Sequence, residues 1–492
     1  MRKIIILYVF FGGLFLNSCT KFLDLPPKNQ RAVETLADLK SVLAGYLDAF
    51  ARSNTQPIYG VMPVVTEAHQ MMFEAHSDNF DFEANMSQYV NVANPGANPH
   101  AKEAFYADKL LLNDRVTIDA IWTKYYEVIG FLNALIDQSE ELREADPAEL
   151  KRVQGEMLVH RAYYIFKLQQ YFAPMDNEEL GIPLYLHTGK EVVGIKMKRK
   201  ASSEIYAVIT EDLKRALAYF QEVGPNAGYS RFFNERYIQN LLAQVYWFKA
   251  ESSSKKAEDY IESEKYALAA IDGTEGYIPK TVVSFRNVQK NLDPEYPAVY
   301  MKSVGFGTVA PIYGSPYAAP ANLKVNQDFF NSFDAGDLRK ETYFVGNVHS
   351  HNWPDDTFSK TLHLHLFTPE EAYLILAESY YRNGKADLAL TTLNKFKSFR
   401  GAVAKSGLSG ELLLDEIIKE RRKEFYCDTD KRWLDMKRYK VGAMERNLRF
   451  FNKNYNIKVE PGDYHYALPI PLSELQENPD IFPNEGWTTI VF

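Results

Sequence analysis

Between Glu420 and Asp435 the chain crowds acidic, guanidinium and indole groups into a short length. Glu420 and Glu424 stand one helical turn apart, Arg421 and Arg422 fall between them, and Arg432, Trp433 and Asp435 follow. Two carboxylates at that spacing are the raw material of general acid–base chemistry and of glycoside hydrolysis. The same residues also build structure, because arginine forks bond carboxylates bidentately while their stems pack against tryptophan. The structural reading is preferred: a buried ion-pair network that ties the C-terminal helix to the rest of the fold. Two His-x-His pairs, His349/His351 and His363/His365, would each put both rings on one face of a strand and offer two metal ligands. No third ligand is fixed by spacing, so polar surface histidines are expected, with no metal bound. There is no GxSxG, HExxH, Walker A or Rossmann glycine pattern, and two cysteines in the whole chain do not form a CxxC. Nothing singles out a catalytic pair among the 64 acidic residues. The expectation is a protein with neither enzymatic activity nor a cofactor.

The start of the chain carries a different chemistry. Met1-Arg2-Lys3 is a short basic stretch, and the apolar run Ile4 to Leu16 covers 13 residues. A bilayer span needs about 20, so this has the size of the apolar core of an export signal. Leu16-Asn17-Ser18-Cys19 then resembles the lipobox of bacterial lipoproteins, with Asn17 departing from the usual small or aliphatic residue. That resemblance makes residues 1–18 a signal peptide, Cys19 the lipid attachment site, and residues 19–30, with Pro26-Pro27, an extended tether to the body. Loss of Arg2 and Lys3 leaves 54 basic against 64 acidic residues, a mature charge of −10. Neither that balance nor the −8 of the full chain suits a nucleic-acid partner. Cys427 is left without an intramolecular partner, and stability must come from packing.

The elements that must position these groups read as helices. Ile118, Ile121, Trp122, Tyr125, Ile129, Leu132 and Ile136 form one stripe; Ile205, Val208, Ile209, Leu213, Ala216 and Phe220 form another; Ile238, Leu241, Leu242 and Val245 continue the pattern. Asp146-Pro147-Ala148-Glu149 and Thr368-Pro369-Glu370-Glu371 each supply a cap, a proline at the first helical position and a Glu at N3. Two helix pairs follow, one over Glu371 to Phe396 broken at Asn383-Gly384, the other over Tyr237 to Ala250 and Tyr260 to Ile271. Short pairs with small residues at the crossing resemble tetratricopeptide repeats, irregularly spaced, with little β structure. Two stretches, near residues 55–105 and 275–365, lack periodicity and are rich in Gly, Pro, Asn and aromatic residues. They read as ordered excursions laid over the helical scaffold, where a ligand site is expected. Within them Tyr59, Tyr313, Tyr317 and Trp353 sit beside Gly or Pro, where a turning chain presents a ring outward, and these are the candidate ligand-binding residues.

Further along, Glu420-Arg421-Arg422-Lys423-Glu424-Phe425 and Arg432-Trp433-Leu434-Asp435-Met436-Lys437-Arg438 resemble the signature helix of the SusD/RagB family of Bacteroidetes outer-membrane lipoproteins. Leu468-Pro469-Ile470-Pro471, Glu474, Asn478-Pro479-Asp480-Ile481 and Asn484 match in family order. So do Phe22-Leu23-Asp24, Gly155-Glu156 with Arg161-Ala162-Tyr163, Gly181-Ile182-Pro183-Leu184, and Glu204-Ile205-Tyr206. The link Tyr426 to Lys431 departs from the family's usual Glu-Gly and is one residue longer, and Pro483 stands where Gln is common. The resemblance implies a SusD-like body over residues 31–492, anchored by lipid to the outer membrane and facing the exterior. It also implies a SusC-like TonB-dependent transporter as partner, to which the protein delivers an oligosaccharide or peptide by binding and release. Turnover of the captured polymer would instead mark a surface hydrolase, and transporter binding without a ligand would mark an assembly scaffold.

Overall fold

The computed structural model describes residues 33–52, 73, 76–79, 115–143, 146–187, 195–224, 234–289, 299–302, 324–349, 363–426, 428, 430–450 and 453–487. The signal segment, Cys19, the tether, Tyr59, Tyr313, Tyr317, His351, Trp353 and Cys427 lie outside them.

Helices dominate. In chain order they begin with α1 (Leu36–Arg52), α2 (Arg115–Glu141), α3 (Pro147–Phe172), α4 (Ser202–Val223), α5 (Glu235–Lys249) and α6 (Asp259–Ile271). α3 is the centre of this half. It packs on α2 and α4, and every residue from Gly155 to Phe172 is buried, as a helix covered on all sides must be. The stripe Ile118 to Ile136 is buried throughout, and Ile238, Leu241, Leu242 and Val245 are wholly inaccessible. The largest cluster of buried apolar side chains runs from Leu39 to Ile481, so the C-terminal segment completes a core begun near the first described helix.

The chain continues through α7 (Val282–Gln289), β1 (Val299–Lys302), α8 (Gln327–Asn331), α9 (Leu338–Tyr343), β2 (Phe344–Val345), β3 (Val348–His349) and β4 (His363–Phe367). Then come α10 (Pro369–Arg382), α11 (Ala386–Phe399), α12 (Glu411–Glu424), α13 (Lys431–Tyr439), β5 (Met444–Phe450), β6 (Lys453–Val459) and α14 (Leu472–Glu477). Pairs α5/α6 and α10/α11 stack through α6 on α10, which is the repeat-like architecture. Each of the three sheets among the described residues is a two-stranded antiparallel ribbon: β1 with β4, β2 with β3, β5 with β6.

Two sequence readings gain detail from the structure. The stretch near 275–365 is more regular than its weak periodicity implies: its described parts hold α7, α8, α9 and four strands, and α7, α8, α9 and β2 contribute to a small core of Phe285, Phe329, Phe333, Tyr343, Phe344 and Tyr426. Helices of five to eight residues make at most about two turns, too short to write a 3.6-residue stripe. The second concerns the caps. Asp146 accepts from the amides of Ala148 and Glu149, and Thr368 from that of Glu371. Glu371 itself does not reach back to close a box, because its carboxylate is held by Lys431 at 2.6 Å and Gln244 at 2.8 Å.

Candidate functional site

The charged stretch around α12 and α13 is enclosed. Glu420, Arg421, Arg432, Trp433 and Asp435 are at most 4% exposed and Glu424 8%. Arg339, at the start of α9, forks onto Asp337 at 2.7 and 2.9 Å and reaches Glu424 at 3.0 Å and Glu420. Arg400 closes the other side, bonding Glu424 at 2.6 and 2.9 Å, Glu370 at 2.8 Å and the Pro279 carbonyl at 2.8 Å. Lys397 adds a contact to Glu420 at 3.1 Å. Burial alone would raise the Glu420 pKa, but the pull of Arg339, then Lys423 and Lys397, outweighs it and brings the carboxyl down to about 2. Glu424 is likewise lowered, by Arg400 and Arg339 against its burial.

A second hub lies one layer further. Glu378 of α10 accepts from both terminal nitrogens of Arg438 at 3.0 and 3.1 Å, from the Tyr439 hydroxyl at 2.6 Å and from the Trp247 indole. Burial would raise its pKa; Arg438 and Arg382 hold it at about 2. The Trp247 ring has the guanidinium of Arg438 at 3.7 Å and that of Arg421 at 4.4 Å, contacts that strengthen when desolvated. Arg421 in turn bonds Asp435 at 3.2 Å and Glu371 at 3.4 Å. Glu420 and Glu424, one turn apart, are therefore both ionised near neutrality and both committed to guanidinium groups, and neither offers a proton to a substrate.

What this region does is fasten the excursions. Asp78, from the first, takes two 2.7 Å bonds from Arg432, while Arg422 bonds the Asn79 side chain at 2.9 Å and the Asp78 carbonyl at 2.6 Å. Burial would raise the Asp78 pKa, but Arg432 and Arg422 bring it below the ordinary carboxylate value. Phe73 sits against Trp433, ring centroids 5.0 Å apart, and against Tyr171 at 4.7 Å. The second excursion meets the first at the same place. The Asn326 amide donates to the Asn79 carbonyl at 2.8 Å, and Phe329 lies under Arg422 at 4.5 Å. Gly442 makes room: it is left-handed, with φ of +74°, and a Cβ there would stand 2.7 Å from the Asp78 carboxylate.

The C-terminal motif residues are fasteners too. Asn484 donates to the carbonyls of Phe172 at 2.8 Å and Leu468 at 2.7 Å and accepts from Arg199 at 2.8 Å. Asn478 donates to the Met197 carbonyl at 2.9 Å.

Sequence reading did not find Asp78, Asn79, Arg339, Arg400, Glu378 or Trp247 as members of this assembly. Arg432 and Asp78 are 354 positions apart, and nothing local in either segment marks the other as its partner. Among the described residues no group of three His, Cys, Asp or Glu side chains is placed to hold a metal ion, and no helix is long and apolar enough to cross a membrane.

Fold and junction together define a class: a helical-repeat scaffold onto which two long inserted segments are clamped by buried charge. A family model described as "Starch-binding associating with outer membrane" matches residues 21–247, and one described as "SusD family" matches residues 371–487. The chain belongs to the SusD/RagB family. No curated relative matches it. Among solved structures it is similar to a SusD-like carbohydrate binding protein from Bacteroides vulgatus, with a TM-score of 0.65 and 18% identity over 91% of this chain and 97% of that one. It is similar also to a SusD superfamily protein from Bacteroides thetaiotaomicron (TM-score 0.59, 22% identity, 85% and 97% covered). A third is surface glycan-binding protein A from Bacteroides uniformis (TM-score 0.64, 15% identity, 91% and 99% covered). At these identities the likeness is one of fold.

Proposed function

We propose that this protein is a surface-exposed, lipid-anchored glycan-binding protein that captures an extracellular oligosaccharide and passes it to a SusC-like TonB-dependent transporter, without bond chemistry of its own. The observation that carries the reading is the convergence of the two excursions. Asn326 bonds Asn79; the first segment is pinned to α12 and α13 through Arg422 and Arg432, and the second to α12 through Arg339 on Glu420 and Glu424. Recognition loops held on a rigid scaffold are the usual carriers of binding function. Rings at Tyr59, Tyr313, Tyr317 and Trp353 would then supply flat faces for sugar C–H edges, with neighbouring polar groups fixing the hydroxyls. Residues 1–18 are removed, Cys19 carries the lipid, residues 19–30 form the tether, and residues 31–492 form the single binding domain. Family membership supports the glycan over a peptide, since the model matching the N-terminal half is described as starch-binding.

The test is retention of the folded chain on a panel of immobilised polysaccharides, then calorimetry of the four single alanine variants at the ring positions against the retained glycan. Base stacking on an aromatic side chain contributes about 1–3 kcal/mol, so a true platform residue loses roughly 5- to 150-fold in affinity. Four variants that all bind as wild type would remove these rings from the site, and release of shortened sugar from the panel would make the protein a hydrolase. Cys19→Ala should leave the body folded and lose outer-membrane retention on fractionation.

A further inference from the structure

A cleft of about 220 Å³ opens where α3 ends, between Pro174 to Asn177, the last residues of α13 and the turn at Gly462 to Ala467. It is remote in sequence from both excursions. Its floor is built and buried. Lys437 is 3% exposed and gives two N–H donors to the carbonyls of Gln170 and Ala173 at 2.6 and 2.7 Å. Burial, then the nearby Arg199, pushes the Lys437 pKa well below the ordinary lysine value, with Asp176 pulling the other way, so the one Nζ position left by these two bonds is a donor in the ammonium and a lone pair in the amine. Asn484 beside it spends its amide on the Phe172 and Leu468 carbonyls and on Arg199, and so acts as scaffold.

One wall is a fixed ring. Tyr464 packs edge-on against Trp487 at 5.4 Å and lies over Gly486, where a Cβ would come within 2.5 Å of the ring. The rim is exposed and of both signs: Asp176 and Glu485 are carboxylates, Lys440 is an ammonium and Asn177 an amide.

Three features select the occupant. The volume of about 220 Å³ falls below the roughly 300–1,000 Å³ of sites for drug-sized ligands, which suits one small ring. A simple anion or cation would face a group of its own sign on the rim. Hydroxyls donate to carboxylates and accept from ammonium and amide N–H with equal ease, and charge-assisted bonds of this kind are the strong ones. A clamped tyrosine offers an apolar face with a polar edge, the surface that a ring with C–H groups on one side and hydroxyls at its rim requires.

We infer that this cleft is a second saccharide subsite, holding one neutral pyranose unit or chain end apart from the rings of the excursions. The inference rests on the glycan-capture reading above. Saturation-transfer NMR of the full folded chain with methyl glucopyranoside, galactopyranoside, mannopyranoside and xylopyranoside tests it, with glycine as the competing zwitterion. At least one glycoside should show transfer. Its affinity should fall about tenfold or more in the Asp176→Ala/Glu485→Ala double variant and stay unchanged in the surface control Lys151→Ala. The rim residues are exposed, so a wild-type melting curve for the double variant is expected and confirms that folding is not what was lost. Transfer to no glycoside, transfer indifferent to the rim substitutions, or displacement by glycine would each overturn the cleft assignment. Polysaccharide retention run in parallel separates the two failures. Where the NMR test fails, retention of a polysaccharide by wild type shows that the subsite alone is defeated, whereas retention of no glycan by any form defeats the capture reading with it.

Discussion

Two helical layers of this molecule are equally dry and differ in what chiefly holds them. Around α3, Ile121, Val128, Leu132, Leu158, Ile209 and Leu241 are at most 1% exposed, and the buried surface is mainly hydrocarbon and tyrosine ring, with two buried ion pairs, Arg161 on Asp212 and Lys167 on Asp430, set into it. Around α13, every residue from Lys431 to Arg438 is buried although the helix reads KRWLDMKRY. Apolar packing is non-directional and tolerates exchange of shape for shape. A buried ion-pair network depends on each partner, because deleting one strands another in a medium that solvates charge poorly. The layer that looks least like a core is therefore the one least able to lose a side chain, and it is the layer that carries the excursions.

The sharpest way to break this comparison is a pair of volume-conserving substitutions. Arg421→Met leaves Asp435 and Glu371 without their guanidinium and should cost about 3–5 kcal/mol, while Leu241→Met in the apolar layer should cost less than about 1.5 kcal/mol. Equal losses in chemical denaturation would show that the two layers do not differ in kind. Trp433→Ala should cost a similar 3–5 kcal/mol, since its ring backs Phe73 and Tyr466; an unchanged melting temperature would place Trp433 outside the core.

pH should separate Glu420 and Glu378 from Glu156 by sign. Glu420 and Glu378 sit at about 2 in the folded chain against an ordinary 4.5, so their contribution is complete above pH 4.5 and is lost as pH falls from there towards 2. Glu156 of α3 is pushed by burial to about 8, so it takes up a proton on folding, and its contribution is lost as pH rises from 4.5 towards 8. One such group changes stability by about 1.4 kcal/mol per pH unit within its window. Glu156→Gln should therefore melt higher than wild type at pH 8 and flatten the alkaline limb, leaving the acid limb intact; an unaltered alkaline limb would assign that slope elsewhere. The smallest effect is expected at the surface. Lys151 and Glu222 form an exposed pair on α3 and α4, and Lys151→Ala should move stability by less than about 1 kcal/mol.

Much of the apolar layer was legible in the chain. Ile118 to Ile136 and Ile238 to Val245 write a 3.6-residue period, and Asp146-Pro147 and Thr368-Pro369 mark helix starts that the structure places there. The ribbon of β5 and β6 is written in the chain as well, since Leu448/Phe450 and Tyr455/Ile457/Val459 alternate with charged and amide residues, but at the two-residue period of a strand and over only seven residues each. In the charged layer the residue types on α12 and α13 were visible, yet their partners Asp78, Arg339, Arg400 and Glu378 are supplied by other elements far along the chain. Single-sequence periodicity reports which face of an element is apolar; it carries no information on which distant charge will meet which.

The central claim is that the charges of α12 and α13 hold the two excursions in place. Amide hydrogen exchange of Asp78→Asn, which keeps an acceptor for Arg432 but removes the charge, tests it most directly. The account predicts faster exchange at residues 76–79 and at the Asn326 amide, with α12 and α13 as protected as in wild type. Exchange at 76–79 and Asn326 that is indistinguishable from wild type in a variant that has lost the Asp78 charge would contradict it.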